Sequence, residues 1–247
     1  VAYFAAASGL PARFIGQVGA DRLGDQLIES MRAAGVDVVA RRGGRTGSVV
    51  VLVQPDGERT MFPDRGCSPD LAEVNGSVLD GVTALHVPMY SLTSGLLADT
   101  ATRLITEAHT RNILVSIDAS SVSVLENFGV TESLSLIGRL TPSVLLCNDD
   151  EARVLGLNSH PHGVGTLVVK RGSRPVQIFD SSGTREFIVA PVEHVVDTTG
   201  AGDAFAAGFL TALVTTHDLA VAVDAGHALA VRALSSPGAT LGAMEQR

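Results

Sequence analysis

The chain has 247 residues, 45% of them apolar and 18% charged, with 26 acidic against 18 basic side chains and a formal net charge of −8. This composition supports a buried core and excludes an intrinsically disordered chain, and no apolar run reaches the roughly 18 residues that span a bilayer. The acidic balance is a poor match for a surface that must neutralise nucleic-acid phosphates, and Cys67 and Cys147, without partner motifs, build neither a disulfide framework nor a Cys-rich zinc site, so a reducing cytoplasm is the expected setting.

An Ala-rich, helical-looking segment follows Val1. From Arg13 onward short β-branched runs alternate with amphipathic stretches, the pattern of an α/β fold with a mainly parallel sheet flanked by helices. Leu23, Leu27, Ile28 and Met31 recur at helical spacing after Asp21 as N-cap and before Gly35 as the terminating glycine, which predicts a helix packed through that face. Residues 48–53, the turn Pro55-Asp56-Gly57 and residues 59–62 read as a β-hairpin that interrupts the alternation. Further strands are expected at 83–87, 113–117, 144–147 and 166–170, with a helical pattern in Leu96, Leu97, Ala101, Leu104, Ile105 and Ala108. A second hairpin is expected over 176–189, and two helices, about 201–214 and 219–234, close the chain. Residues 158–165, rich in His, Pro and Gly, read as a surface connection; His160 and His162 have no third ligand near them in sequence.

The most informative segment runs from Asp197 to Phe209, Asp-Thr-Thr-Gly-Ala-Gly-Asp-Ala-Phe-Ala-Ala-Gly-Phe. Gly200, Ala201 and Gly202 leave backbone amides unobstructed where a helix begins, and the helix dipole adds partial positive charge, so this terminus suits an anion such as phosphate. A carboxylate beside a phosphate repels it unless it takes a proton from the attacking group, which makes Asp203 a candidate general base. The plainer reading is a tight strand-to-helix turn with Asp203 favouring the dipole. A Walker A loop is excluded because the single lysine, Lys170, lacks the Gly-Lys-Ser/Thr context, and a Rossmann fingerprint would place its third glycine on Phe205.

The whole string resembles the signature of the ribokinase-like (PfkB) carbohydrate kinases. That resemblance implies an anion hole at Gly200, Ala201 and Gly202, and Asp203 deprotonating a sugar hydroxyl. Gly16 to Gly24 and Ala34 to Asp37 look like the family's other glycine-rich signature, read here as structural. Asn148 and Glu151 resemble its Asn-x-x-Glu motif, which implies Mg²⁺ and the phosphates of ATP, partly through water; an acidic helix start capped by Asn148 is the alternative. Lys170, Arg171 and Gly172 match the loop presented to ATP, either contacting phosphate or simply solvated. Thr199 belongs to the same nucleotide region. His227 borders the expected adenine site or packs as a core histidine. The resemblance further implies a monovalent cation such as K⁺ at Asp197, Thr199, Ala233, Ser236 and Gly238.

On the acceptor side, Arg65 and Gly66 resemble a glycine-containing substrate loop, and Asp118 ends a predicted strand at the sheet rim, where it can face substrate or the metal network. The family's early sugar-binding aspartate and Gly-Gly segment find no counterpart here, so the expectation is one kinase domain over 1–247 lacking its N-terminal segment, with an incomplete β lid about 46–63. The implied activity is ATP-dependent phosphorylation of a sugar or sugar-like hydroxyl. A nucleoside acceptor and a nucleotide- or sugar-binding protein without turnover are the alternatives, and a homodimer is left open.

Overall fold

The computed structural model describes residues 1–53, 59–72, 74–192 and 194–241. Helix α1 (Ala2–Ala7) leads to strand β1 (Arg13–Val18), α2 (Arg22–Ala33) and β2 (Asp37–Arg42), with β1 and β2 paired in parallel as a two-stranded sheet. Strands β3 (Ser48–Val53) and β4 (Arg59–Asp64) form a separate antiparallel hairpin; its expected Pro55-Asp56-Gly57 turn lies outside the described residues. Then come β5 (Ala84–Pro88), α3 (Gly95–Thr110), β6 (Leu114–Asp118), α4 (Val122–Phe128), α5 (Val130–Leu140), β7 (Val144–Asn148), α6 (Asp149–Val154) and β8 (Thr166–Lys170). The hairpin β9 (Val176–Asp180) and β10 (Gly183–Phe187) precedes α7 (Ala201–Thr216) and α8 (Leu219–Leu234). The main sheet runs in the order β10-β9-β8-β7-β6-β5, parallel from β5 to β8 and antiparallel through the second hairpin.

Successive side chains of a strand leave opposite faces, so a strand covered on both sides must be apolar throughout. Strand β7 obeys this: Leu145 and Cys147 join a core with Leu104 and Ile105 of α3 and Ile137 of α5. Val144 and Leu146 join a second core with Phe205 and Phe209 of α7 and Ala222 and Val223 of α8. The result is three layers, helix, sheet and helix. Small residues bring α7 and α8 together; a Cβ on Gly208 would sit 2.4 Å from the Ala225 carbonyl oxygen.

Helix α2 departs from the expected packing. Asp21 caps it by accepting from the Gly24 amide at 2.8 Å, and Gly35 ends it at φ +91°, as the sequence suggests. Its inner face, however, is Gly24, Ile28 and Met31, while Leu23 and Leu27 are exposed. The cause is Gly24, whose Cβ would lie 2.2 Å from the Gly19 carbonyl oxygen. So close an approach turns the helix about its axis and rolls the two leucines outward. Asp21 also accepts from the Thr46 amide and hydroxyl at 2.7 and 2.6 Å, tying the foot of the first hairpin to the β1–α2 turn. Bonds from Thr46 and Gly24 hold the Asp21 carboxyl down at about 2.

Candidate active site

The carboxyl ends of the parallel strands form a rim, the edge at which open α/β sheets bind ligands. Asp118 ends β6, Asn148 ends β7 and Lys170 ends β8, the last two being cross-strand partners. Their faces follow from period two. Val115 and Ile117 belong to the α3 core, so Ser116 and Asp118 turn to the other side; Asn148 and Lys170 share the face of Leu146 and Val168, which pack with α7. Three polar side chains thus converge on the layer that contains the start of α7.

That start has the features expected of an anion site. Gly200 is the N-cap in the left-handed region at φ +79°, where a Cβ would also come within 2.8 Å of the Phe4 ring, so only glycine fits. No side chain caps the helix at Gly200; the Ala201 amide reaches back to the Thr198 carbonyl at 3.3 Å, and the amides of Gly202 and Asp203 are the ones the helix start can offer to a ligand or water. Asp203 lies in the first turn with its side chain 60% exposed, and the Val1 nitrogen is 3.6 Å from its Oδ1. At Gly202 a Cβ would stand 3.5 Å from the Lys170 ammonium.

Lys170 is neither solvated nor unpaired. Its Nζ donates to Asp118 Oδ2 at 2.7 Å, with the two side chains only 16% and 14% exposed. Burial disfavours both charges, but the pair offsets it: Lys170 is raised by the Asp118 carboxylate, and Asp118 is lowered by the ammonium and by the Ser120 amide. Both groups are therefore ionised. Arg171 is not solvated either; it is 15% exposed and reaches Glu186 at 3.1 Å. Gly172 stands at φ +64° with open space around it, consistent with close approach of a ligand to the backbone.

Asn148 and Glu151 make the reciprocal capping box of α6, each side chain accepting from the other's amide at 2.8 Å. The capping reading is realised; among the described residues the other Glu151 oxygen and the Asn148 side-chain nitrogen make no hydrogen bond. Burial raises the Glu151 pKa against the opposing Asn148 amide. Asp197 accepts from the Thr199 amide and hydroxyl and, through its other oxygen, from the Gly238 amide at 2.9 Å. This brings Asp197, Thr199 and Gly238 together, beside buried Ala233 and Ser236. His227, on α8, has a buried Nε2 without a hydrogen-bond partner among the described residues.

On the acceptor side Arg65 donates to the Tyr90 carbonyl and the Ser94 hydroxyl, both at 2.9 Å. Gly66, at φ +52°, closes against Arg45 and Gly47, where a Cβ would meet the Arg45 carbonyl at 2.4 Å, so it shapes the loop. Two neighbours escaped the sequence reading. Burial drives the His86 imidazole down to about 4, and its Nδ1 lies 3.2 Å from the Ser116 hydroxyl, its register partner. The Tyr90 phenol is raised by loss of water and by the charges of Asp203 and Asp118. The available signal was parity: His86 is two residues before the rim on the Asp118 side. His160 instead folds its own loop, bonding the Val164 carbonyl at 2.6 Å.

The mainly parallel sheet between helical layers is a ribokinase-like α/β fold, and its carboxyl rim carries an uncapped helix start, a carboxylate in the first turn of that helix and a buried ammonium. The chain belongs to the PfkB family: the family's pattern, that of the pfkB family carbohydrate kinase, matches residues 1–247. It is 28% identical to a sugar kinase of Archaeoglobus fulgidus described as uncharacterized, over 95% of each chain. It is 30% identical to an ATP-dependent ribose-1-phosphate kinase of Halopiger xanaduensis, covering 95% of this chain and 79% of that one. The fold matches adenosine kinase from Sinorhizobium meliloti with a TM-score of 0.87 at 23% identity, over 96% of this chain and 76% of that one. The protein is accordingly a carbohydrate kinase.

Proposed function

We propose that the protein transfers the γ-phosphoryl group of ATP to a hydroxyl of a sugar or sugar phosphate. The observation that carries this reading is Asp203 in the first turn of an uncapped helix whose Gly202 stands beside Lys170, the sheet-rim partner of Asn148. Asp203 takes the acceptor proton as the new oxygen–phosphorus bond forms, and backbone amides of the Gly200 to Gly202 turn donate hydrogen bonds to the phosphoryl oxygens. The Asp203 carboxylate is exposed, and Arg65 and Tyr90 bound the space in which an acceptor would lie.

Among the described residues no three His, Cys, Asp or Glu side chains gather into a metal cage. Mg²⁺ suits this, because it is commonly held by one or two carboxylates plus phosphates and water. Asn148 and Glu151 would hold it, directly or through water, and when bound it would supply neutralisation of phosphate charge. The Asp197 to Thr199 turn and the Ala233, Ser236 and Gly238 turn would flank K⁺. The hairpin β3–β4, tied at its foot by Asp21 and Thr46, serves as the lid of a single domain.

The test is incubation with Mg-ATP and a panel of sugars, sugar phosphates, sugar acids and nucleosides, with phosphorylated product detected by mass spectrometry. A product from a sugar or sugar phosphate supports the proposal. A nucleoside monophosphate as the dominant product would transfer the assignment to nucleosides, and no product from any acceptor would leave a binding protein.

A further inference from the structure

We infer that Lys170 is a catalytic residue whose ammonium hydrogen-bonds the phosphoryl group in flight, and that Asp118 is the positioning residue that aims it. This rests on the kinase reading above. The ammonium is 3.5 Å from where a Cβ on Gly202 would stand, so it borders the same first turn of α7 that offers its amides to phosphate. A lysine has three N–H donors, and among the described residues Lys170 makes one hydrogen bond, to Asp118. Glu151 is the other carboxylate that acts on the ammonium, and Gly202 of α7 stands beside it.

Stability alone is a weak reason for such a pair, because burying two charges costs about as much as their attraction returns. Charge balance at the rim supplies a stronger one. Asp118, Glu151 and Asp203 bring three carboxylates to the place a polyanion must enter, and the neighbouring His86 is held neutral at ordinary pH by burial. Lys170 supplies the positive charge there. The choice of residue is also informative: it is the single lysine among 18 basic side chains. A compact ammonium with three rotatable donors can share them between Asp118 and a tetrahedral phosphoryl, whereas a guanidinium presents its donors in a rigid planar fork.

Asp118 is fixed from behind. Its Oδ1 accepts from the Ser120 amide at 2.8 Å, and the Ser120 hydroxyl donates to the Asp118 carbonyl at 2.9 Å. The carboxylate that holds the ammonium is thus set by backbone rather than by solvent. In the transfer the acceptor oxygen bonds phosphorus, the bond from phosphorus to the β-phosphate oxygen breaks with its electron pair leaving on ADP, and Asp203 takes the acceptor proton. Lys170 donates hydrogen bonds throughout and keeps its protons.

A purely structural ion pair and a catalytic ammonium separate in the double variant Lys170→Met with Asp118→Asn. Either single change strands a buried partner and lowers the melting temperature, while the double change removes both charges. We expect the double variant to regain most of the melting temperature yet to keep kcat about 100-fold or more below wild type. Its calorimetric preference for Mg-ATP over Mg-ADP should fall about tenfold, since only ATP carries the contacted group. Lys170→Arg, which keeps the pair, is the second probe: its melting temperature should hold while kcat falls about tenfold or more. Recovery of kcat in the double variant to within about threefold of wild type, with an unchanged ATP-to-ADP preference, overturns the inference. An inactive wild type would sink the kinase reading instead, and the nucleotide preference would then decide the role of Lys170 by itself.

Discussion

His86 offers a quantitative test of how the rim is built. Its imidazole is half-buried on β5, and loss of water drives it down to about 4 from its usual 6.5 by penalising the charged form. In the unfolded chain the same group takes up its proton near 6.5. Between these values the unfolded state binds more protons than the folded one, so stability falls as pH is lowered from 6.5 to about 4 and the dependence flattens below that. At about 1.36 kcal/mol per pKa unit the imidazole accounts for about 3 kcal/mol over this window. Other groups lose stability on acidification too; Asp118, with its lowered pKa, does so below its ordinary 3.8. The informative quantity is therefore the difference between wild type and His86→Gln in urea denaturation at pH 6.5, 5.5 and 4.5. Wild type should lose stability more steeply than the variant by about 1 kcal/mol per pH unit. Parallel curves for the two proteins, or an NMR titration of His86 centred near 6.5, would refute the buried-imidazole account.

Three further substitutions probe the site and its frame. Gly202→Val should leave the fold intact, because a Cβ at 3.5 Å from Lys170 Nζ is an ordinary contact, yet its methyls enter the phosphate space; calorimetry should show Mg-ATP affinity reduced about tenfold or more, and unchanged affinity would move the phosphates elsewhere. Gly200→Ala meets both φ +79° and the Phe4 ring at 2.8 Å, so denaturation should report a loss of about 1–3 kcal/mol, and a neutral result would contradict the N-cap geometry. Arg65→Met should raise the acceptor KM about tenfold with little change in kcat, and an unaltered KM would remove Arg65 from the acceptor site.

The parts of this architecture that are legible in the sequence are those written locally. Strand β8 and helix α8 fall at the residues expected of them, because a β-branched run bounded by glycine and a helix opened by Asp218 are complete signals over a few residues. The start of α7 was likewise visible in three small residues and an aspartate. Long-range pairing was not. Asp118 and Lys170 are 52 residues apart on strands separated by β7, and only the sheet order makes them neighbours. Leu23 and Leu27 show the limit of periodicity, which finds a helix but leaves its rotation to be set by one close contact at Gly24. Lys170 and Arg171 read as candidates for solvated charge because sequence carries no burial; the rim and Glu186 enclose them.

The central claim is that Asp203 accepts the acceptor proton during transfer from ATP. Its most direct test is acceptor-dependent ADP release by wild type and Asp203→Asn, run beside calorimetric Mg-ATP titration of both. The account predicts that the variant binds Mg-ATP as wild type does while kcat falls about 100-fold or more. Turnover near the wild-type rate in a folded Asp203→Asn protein would contradict it.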